Sequence, residues 1–282
     1  MPINYLDEFI KNALEEDIGD GDHTSLACIP PNAKGKARLL VKEEGVLAGV
    51  EVAVEILKRV DSDAQIEIFK NDGDLIAPSD VVFIVGGSIR ALLKAERLLL
   101  NVMQRMSGIA TTTQKYVKQL KGLNTKILDT RKTTPGMRML EKLAVKIGGG
   151  YNHRFGLFDM ILIKDNHIDF AGGIPQAIRR TREYLAVVNK DLKIEIEARK
   201  LGDVNLILET GGVHRIMLDN FDIATTREAV KIIGNRYETE SSGGITVDNI
   251  RAYAECGVNF ISVGALTHHI KSLDLSLKAL NY

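Results

Sequence analysis

The spacing of apolar residues changes along the chain, and each change predicts a different kind of structure. From Gly35 to Gly87, short runs (KARLLV, QIEIF, VVFIV) alternate with turn residues such as Asn71-Asp72-Gly73-Asp74, while VEVAVEILKRV has helical spacing. Strand-length runs bounded by Gly, Asn and Asp predict a small domain of mixed α and β structure. From about Arg90 to Leu120 the period lengthens. Leu92, Leu99, Met103, Met106, Ala110, Thr113 and Val117 share one helical face, with Arg97, Asn101 and Arg105 opposite and Ser107-Gly108 as a candidate break.

After Lys126 the pattern becomes repeated strand then helix: KILDT, MILIKD, KIEIEA, RIMLDN, YETES and FISVG, separated by stretches such as MRMLEKLAVKI, FDIATTREAVKII and VDNIRAYAEC. Such alternation predicts parallel strands with helices outside them. The last four strands should begin near Lys193, Arg215, Tyr237 and Phe260. The strand count falls short of the eight of a complete barrel, so the expected architecture is an irregular, incomplete α/β barrel.

Composition narrows the function classes. The chain has 282 residues, 45% hydrophobic and 26% charged, enough for one large or two modest globular domains. Lys plus Arg equals Asp plus Glu at 37 each, which argues against a nucleic-acid or polyanionic-membrane partner. Cys28 and Cys256 are far apart and form no metal-ligand pattern, as expected of a reducing cytoplasm. The acidic, amphipathic start is not a secretory signal, and runs such as VVFIV are too short to cross a bilayer.

A parallel barrel presents its reactive groups in the loops that leave the carboxyl ends of its strands. Those loops carry Arg131 and Lys132, Lys164, Glu197, Asp219, Ser242-Gly243-Gly244 and Gly264, with His153-Arg154 in a neighbouring segment. An isolated Arg-Lys pair is more often a solvated turn. Cations from three separate segments at one rim point instead to a shared anion site. His153 by itself reads as a structural histidine. In KIEIEARK, Glu195 and Glu197 share one strand face, which would merely be solvated on an edge strand. Asp219 is a candidate helix cap or, with Glu197, a candidate Mg²⁺ site through oxygen ligands or water. The SSGGI and SVGAL turns on the last two strands bring small residues where barrels often bind phosphate.

Taken together, TRKTTPGMRMLEKLAVKIGGG, NHRFGLFDMILIKDNHI, MLDN, SSGGI and SVGALTH, with EDIGDGDHTS and AERLLLNVMQRMSGIAT upstream, resemble the quinolinate phosphoribosyltransferase family over nearly the whole chain. The resemblance implies an amino-terminal α/β sandwich over residues 1–110, including part of the long helix, and a catalytic barrel over 111–270. A carboxy-terminal helix over 271–282 should pack back on the amino-terminal domain. It also implies a homodimer in which each barrel faces its neighbour's amino-terminal domain, higher oligomers remaining open. The implied reaction joins quinolinate to phosphoribosyl pyrophosphate with Mg²⁺ as cofactor, yielding nicotinate mononucleotide, pyrophosphate and CO₂.

By the same resemblance, Arg131, His153, Arg154 and Lys164 match residues that hold quinolinate's carboxylates or adjoining phosphates, and Lys132 shares their basic pocket. Arg97 matches an arginine reaching across the dimer. Glu197 and Asp219 match the acidic pair near the ribose and the metal, while Ser242, Gly243 and Gly264 match turns for the 5-phosphate. Lys132, Lys164, Glu197 and Asp219 are thus the expected catalytic group. AERL in place of AERT, Leu143 in place of tyrosine, Ala198 in place of valine and His23 at an often apolar position are the departures. Two alternatives stand beside this reading: a Schiff-base, aldolase-type barrel using Lys164, and a non-catalytic barrel that binds a phosphate ligand.

Overall fold

A computed structural model of the chain describes residues 3–280. The elements, in order, are α1 (Ile3–Ile18), α2 (His23–Cys28), β1 (Lys34–Val41), β2 (Gly45–Val46), α3 (Val50–Val60), β3 (Gln65–Ile68), β4 (Leu75–Ile76), β5 (Val81–Ser88) and α4 (Ile89–Gln119). There follow β6 (Lys126–Leu128), α5 (Arg138–Ile147), β7 (Ile161–Ile163), α6 (Asp165–Ala171), α7 (Ile174–Val187), β8 (Ile194–Ala198), α8 (Leu201–Thr210) and β9 (Arg215–Asp219). The last are α9 (Ile223–Ile233), β10 (Glu238–Ser242), α10 (Ile250–Ala254), β11 (Phe260–Ser262), α11 (Ala265–His268) and β12 (Leu275–Leu280). They divide into two compact units: Met1–Gln114 with Thr134–Gly149 and Ile270–Tyr282, and Lys115–Thr133 with Gly150–His269.

The first unit is built on an antiparallel sheet of order β12-β1-β5-β3. Alternation along β1 buries Ala37, Leu39 and Val41, and α3 buries Val52, Ala53, Ile56 and Leu57. Its α4 runs unbroken for 31 residues through the candidate break at Ser107-Gly108. Both residues serve close packing instead. Ser107 accepts the Ala48 N–H at 3.0 Å, and a Cβ at Gly108 would lie 2.3 Å from the Lys271 carbonyl oxygen.

The expected domain division is corrected in two places. The expected carboxy-terminal helix is strand β12, which pairs antiparallel with β1 from Leu280 opposite Lys36 to Leu275 opposite Val41. The reason is its period of two: Leu275 and Leu277 turn inward while Ser276 and Lys278 do not. The second correction concerns α5, which groups with the first unit rather than with the barrel. Fully buried Glu141 accepts the Arg105 guanidinium of α4 at 2.7 Å, and Gly148 leaves no room for a Cβ against the Ala110 carbonyl.

The second unit is a six-stranded, all-parallel sheet of order β6-β11-β10-β9-β8-β7 with helices between its strands. The incomplete barrel is therefore as expected, and β8, β9, β10 and β11 each start within one residue of the sequence reading. Its edges are β6 and β7. Parallel register sets Glu197 beside Met217, Asp219 beside Ser242, and Ser262 beside Leu128. One face of the sheet thus carries Glu197, Asp219, Ser242 and Ser262, with the apolar Met217 and Leu128 between them.

Candidate active site

Strand alternation assembles the site. On β8 it turns Glu195 and Glu197 to one face, on β9 Arg215, Met217 and Asp219, and on β10 Glu238, Glu240 and Ser242. Strand β8 lies between β7 and β9, so its carboxylates are not solvated: Glu195 is 1% and Glu197 5% exposed. At the carboxyl ends of the strands a cavity of about 850 Å³ is lined by Arg131, Lys132, His153, Arg154, Lys164, Glu197, Asp219, Ser242, Gly243 and Gly264. Ten expected site residues are therefore brought together. Arg97 is not among them; it is exposed on α4 and lines a recess of the first unit with Asn101, Arg105, Glu16 and Asp17.

Each wall has its own support. Asp129, fully buried at the end of β6, accepts the His153 N–H at 2.9 Å and the Asn152 amide, which ties the His153-Arg154 segment to the strand. The His153 Nδ1 accepts the Arg154 N–H at 2.7 Å, and the Arg154 guanidinium donates to the Met160 carbonyl at 3.2 Å. Burial, and then the charge of Arg131, hold the Arg154 guanidinium below its ordinary pKa. Two cations pressed together in this way leave an electrostatic deficit that an anion relieves.

The facing wall is acidic. Lys164 Nζ donates to Glu197 Oε1 at 2.8 Å, and the Asp165 N–H donates to Oε2 at 3.0 Å. Burial, followed by the nearby charge of Glu197, raises the Asp219 carboxyl above its ordinary value. A carboxylate disfavoured by its neighbour is a fitting partner for a hard divalent cation with oxygen ligands. Behind it, Asn220 adopts a left-handed φ of 58° and its N–H donates to the Ser242 carbonyl at 2.8 Å. Gly243 has φ 91°, and a Cβ there would lie 2.1 Å from Asn220 Oδ1, so this turn requires glycine.

Beneath the cavity the interior stays polar. His153 Nε2 lies 3.0 Å from Glu195 Oε2 and 3.6 Å from Glu240 Oε2, and Arg215 Nη1 approaches Glu240 at 2.9 Å and Glu195 at 3.9 Å. Burial raises both carboxyls, Glu195 to about 7 and Glu240 to about 8. Among the described residues His153, Glu195 and Glu240 are the one trio of metal-ligand types in mutual reach, but Arg215 already supplies a cation there. The roles of Glu240, Arg215 and His268, which also lines the cavity, were not read from sequence. Parity along YETES and RIMLD would have marked the first two; His268 lies four residues past Gly264 with no pattern of its own.

Fold and site together define a parallel α/β-barrel protein whose pocket sets clustered cations against paired carboxylates, as a multiply anionic small molecule requires. Family models for the quinolinate phosphoribosyl transferase N-terminal and C-terminal domains match residues 22–107 and 109–278. The chain belongs to the quinolinate phosphoribosyltransferase family. It is 44% identical to the chloroplastic nicotinate-nucleotide pyrophosphorylase [carboxylating] of Oryza sativa subsp. japonica, over 98% of this chain and 78% of that protein. A probable nicotinate-nucleotide pyrophosphorylase [carboxylating] of Bacillus subtilis is 42% identical over 96% of this chain and 92% of that one. The crystal structure of NadC from Streptococcus pyogenes superposes with a TM-score of 0.92 at 38% identity, covering 100% of this chain and 99% of that one. The nicotinate-nucleotide pyrophosphorylase of Francisella tularensis gives 0.92 at 38% identity, covering 99% of this chain and 98% of that one. Among the described residues no helix is long and apolar enough to cross a membrane.

Proposed function

We propose that the protein transfers the phosphoribosyl group of phosphoribosyl pyrophosphate to quinolinate with loss of CO₂, forming nicotinate mononucleotide and pyrophosphate. The observation that carries this reading is the meeting of Arg131, Arg154 and Lys164 with Glu197 and Asp219 around one cavity. Both substrates are multiply anionic, and countercharge at the rim offsets their mutual repulsion. Arg131, Arg154 and Lys164 hold the pyridine carboxylates, with His153 at the floor and Lys132 toward the phosphates. Ser242, Gly243 and Gly264 receive the 5-phosphate on turns without bulky side chains.

The chemistry follows from that placement. As the bond from ribose C1 to pyrophosphate breaks, the sugar becomes cationic, and the carboxylates of Glu197 and Asp219 stabilise it. The pyridine nitrogen donates its electron pair to C1. The ring nitrogen is then cationic; when the 2-carboxylate leaves as CO₂, the electron pair of the broken bond stays on C2, stabilised by the adjacent positive nitrogen, and takes up one proton there, leaving the pyridinium ring of nicotinate mononucleotide. Glu197 and Asp219 offer the oxygen ligands for Mg²⁺, which supplies neutralisation of the leaving pyrophosphate. Nothing in the site favours the Schiff-base or the non-catalytic reading, since Lys164 is tied to Glu197 and both acidic and basic walls are present.

We assign the active form as a homodimer in which the recess carrying Arg97 supplies this arginine to the neighbouring subunit's pocket; Arg97 stands exposed with no role in its own chain's cavity. The cytoplasm is the proposed compartment, supported by the free Cys28 and Cys256. The deciding assay incubates the protein with Mg²⁺, phosphoribosyl pyrophosphate and either quinolinate or nicotinate. Nucleotide and CO₂ in equal amounts from quinolinate alone are expected. Equal turnover of nicotinate, or nucleotide without CO₂, overturns the assignment.

A further inference from the structure

In a parallel barrel the interior under the active site is ordinarily filled by branched apolar side chains. Here the layer below the cavity instead holds Glu195, Glu240 and Arg215, exposed by 1%, 0% and 13%. Such a layer costs desolvation that an apolar core would avoid, so its presence calls for a use. Both of its carboxyls lie against one ring of the pocket floor, that of His153, whose side chain is only 6% exposed.

The two ring nitrogens of His153 are both directed into the protein. Nδ1 accepts the N–H of Arg154 at 2.7 Å, which leaves the ring hydrogen on Nε2, 3.0 Å from Glu195 Oε2. Nε2 is itself buried, so the ring offers the cavity no exposed cationic N–H. What it does fix is the backbone of the next residue, whose guanidinium is anchored at the Met160 carbonyl and meets Arg131 in the cavity. Arg215 stands behind the carboxylates, bonded to Glu240 at 2.9 Å and stacked 3.8 Å from the centre of the Phe260 ring.

We propose that Glu195, backed by Glu240 and Arg215, is a positioning residue that holds the His153 ring, and through it the Arg154 backbone, so that Arg154 is preset for one carboxylate of the pyridine dicarboxylate. His153 then acts as a prop between the polar layer and Arg154, not as a direct ligand of the anion. The inference rests on the reading of the pocket given under Proposed function. It goes beyond that reading by assigning work to a buried layer that touches neither substrate.

The test uses the full-length protein and compares Glu195→Ala, Glu195→Gln, His153→Asn and the Glu195→Ala/His153→Asn pair. Because small misplacement of a binding group costs up to about 100-fold, Glu195→Ala should raise KM for quinolinate by about 10- to 100-fold, with KM for phosphoribosyl pyrophosphate changed by less than about twofold. Glu195→Gln keeps an acceptor oxygen of the same reach and should recover most of the loss. In the His153→Asn background, Glu195→Ala should cost nothing further, since the two act on one path. Equal rises in both KM values, a Gln variant as impaired as Ala, or fully additive losses overturn the proposal. Should Glu195→Ala not fold, ¹⁵N-histidine NMR of the parent protein decides: the Nε2–H tautomer at His153 supports the prop, and an Nδ1–H or averaged pattern overturns it. If the parent converts no quinolinate, the functional reading fails, while the tautomer still reports on the prop.

Discussion

Arg131 and Arg154 share a cavity in which burial and then the charge of Arg131 raise the cost of the Arg154 charge, and a substrate carboxylate relieves that cost. Replacing the half-buried Arg131 by alanine removes a charge-assisted contact to the substrate, a loss of about 3 kcal/mol or roughly 100-fold in kcat/KM for quinolinate. The melting temperature should stay near that of the parent. Steady-state kinetics beside a thermal melt checks both; turnover within about threefold of the parent would remove Arg131 from the anion site. The sequence disclosed the members of this cavity because they follow strand ends, where a barrel must present them. It did not disclose how they are held. Asp129 is an ordinary strand-end carboxylate in sequence, and only tertiary contact shows it fixing the backbone of His153, 24 residues away.

Among the elements, α4 shows how packing reverses a local preference. In a solvated helix, glycine to alanine stabilises by about 1 kcal/mol. At Gly108 the new methyl would lie 2.3 Å from a carbonyl oxygen of backbone, which cannot swing aside as a side chain tip can. Gly108→Ala is therefore expected to destabilise by about 1–3 kcal/mol, read as a lower urea midpoint with unchanged slope. An unchanged or higher midpoint would contradict the close packing. Sequence periodicity reported the helix and wrongly offered this glycine as its break, because spacing carries no record of what passes beside a helix. The same blindness hid β12: LSLKAL is too short to separate strand from helix until β1 supplies a partner. The parallel strands were read well because each follows a long local pattern.

For the molecule as a whole, the polar layer beneath the cavity makes stability depend on pH. Glu240, raised by burial from 4.5 to about 8, keeps a proton in the folded state that the unfolded chain releases above about pH 4.5. The folded state thus binds more protons across that window, and this group's contribution to stability falls as pH rises from about 4.5 to about 8, then levels off. Glu240→Gln lacks this titration. The melting temperature of the variant minus that of the parent should become more positive between pH 5 and pH 8; a difference that is flat or moves the other way refutes the assignment. Assembly offers a second test at this scale. Arg97→Ala and Lys164→Ala should each be inactive, and mixing them under conditions of subunit exchange should restore about a quarter of parental activity if random dimers carry one intact shared site each. No recovery would show that each pocket is completed within one chain.

The pairing of β1 with β12 joins residue 36 to residue 280, near opposite ends of the chain. Ribosomal synthesis proceeds in one direction, so β1 waits through the making of every strand of the parallel sheet before its second neighbour exists. All the strands of the parallel sheet have been made by then, and their pairing needs nothing from β12. Order of birth and order of completion are thus inverted: the unit begun first is finished last. A released chain ending at Ser272 should therefore protect the barrel strands from hydrogen exchange while β1 exchanges freely along its unpaired edge.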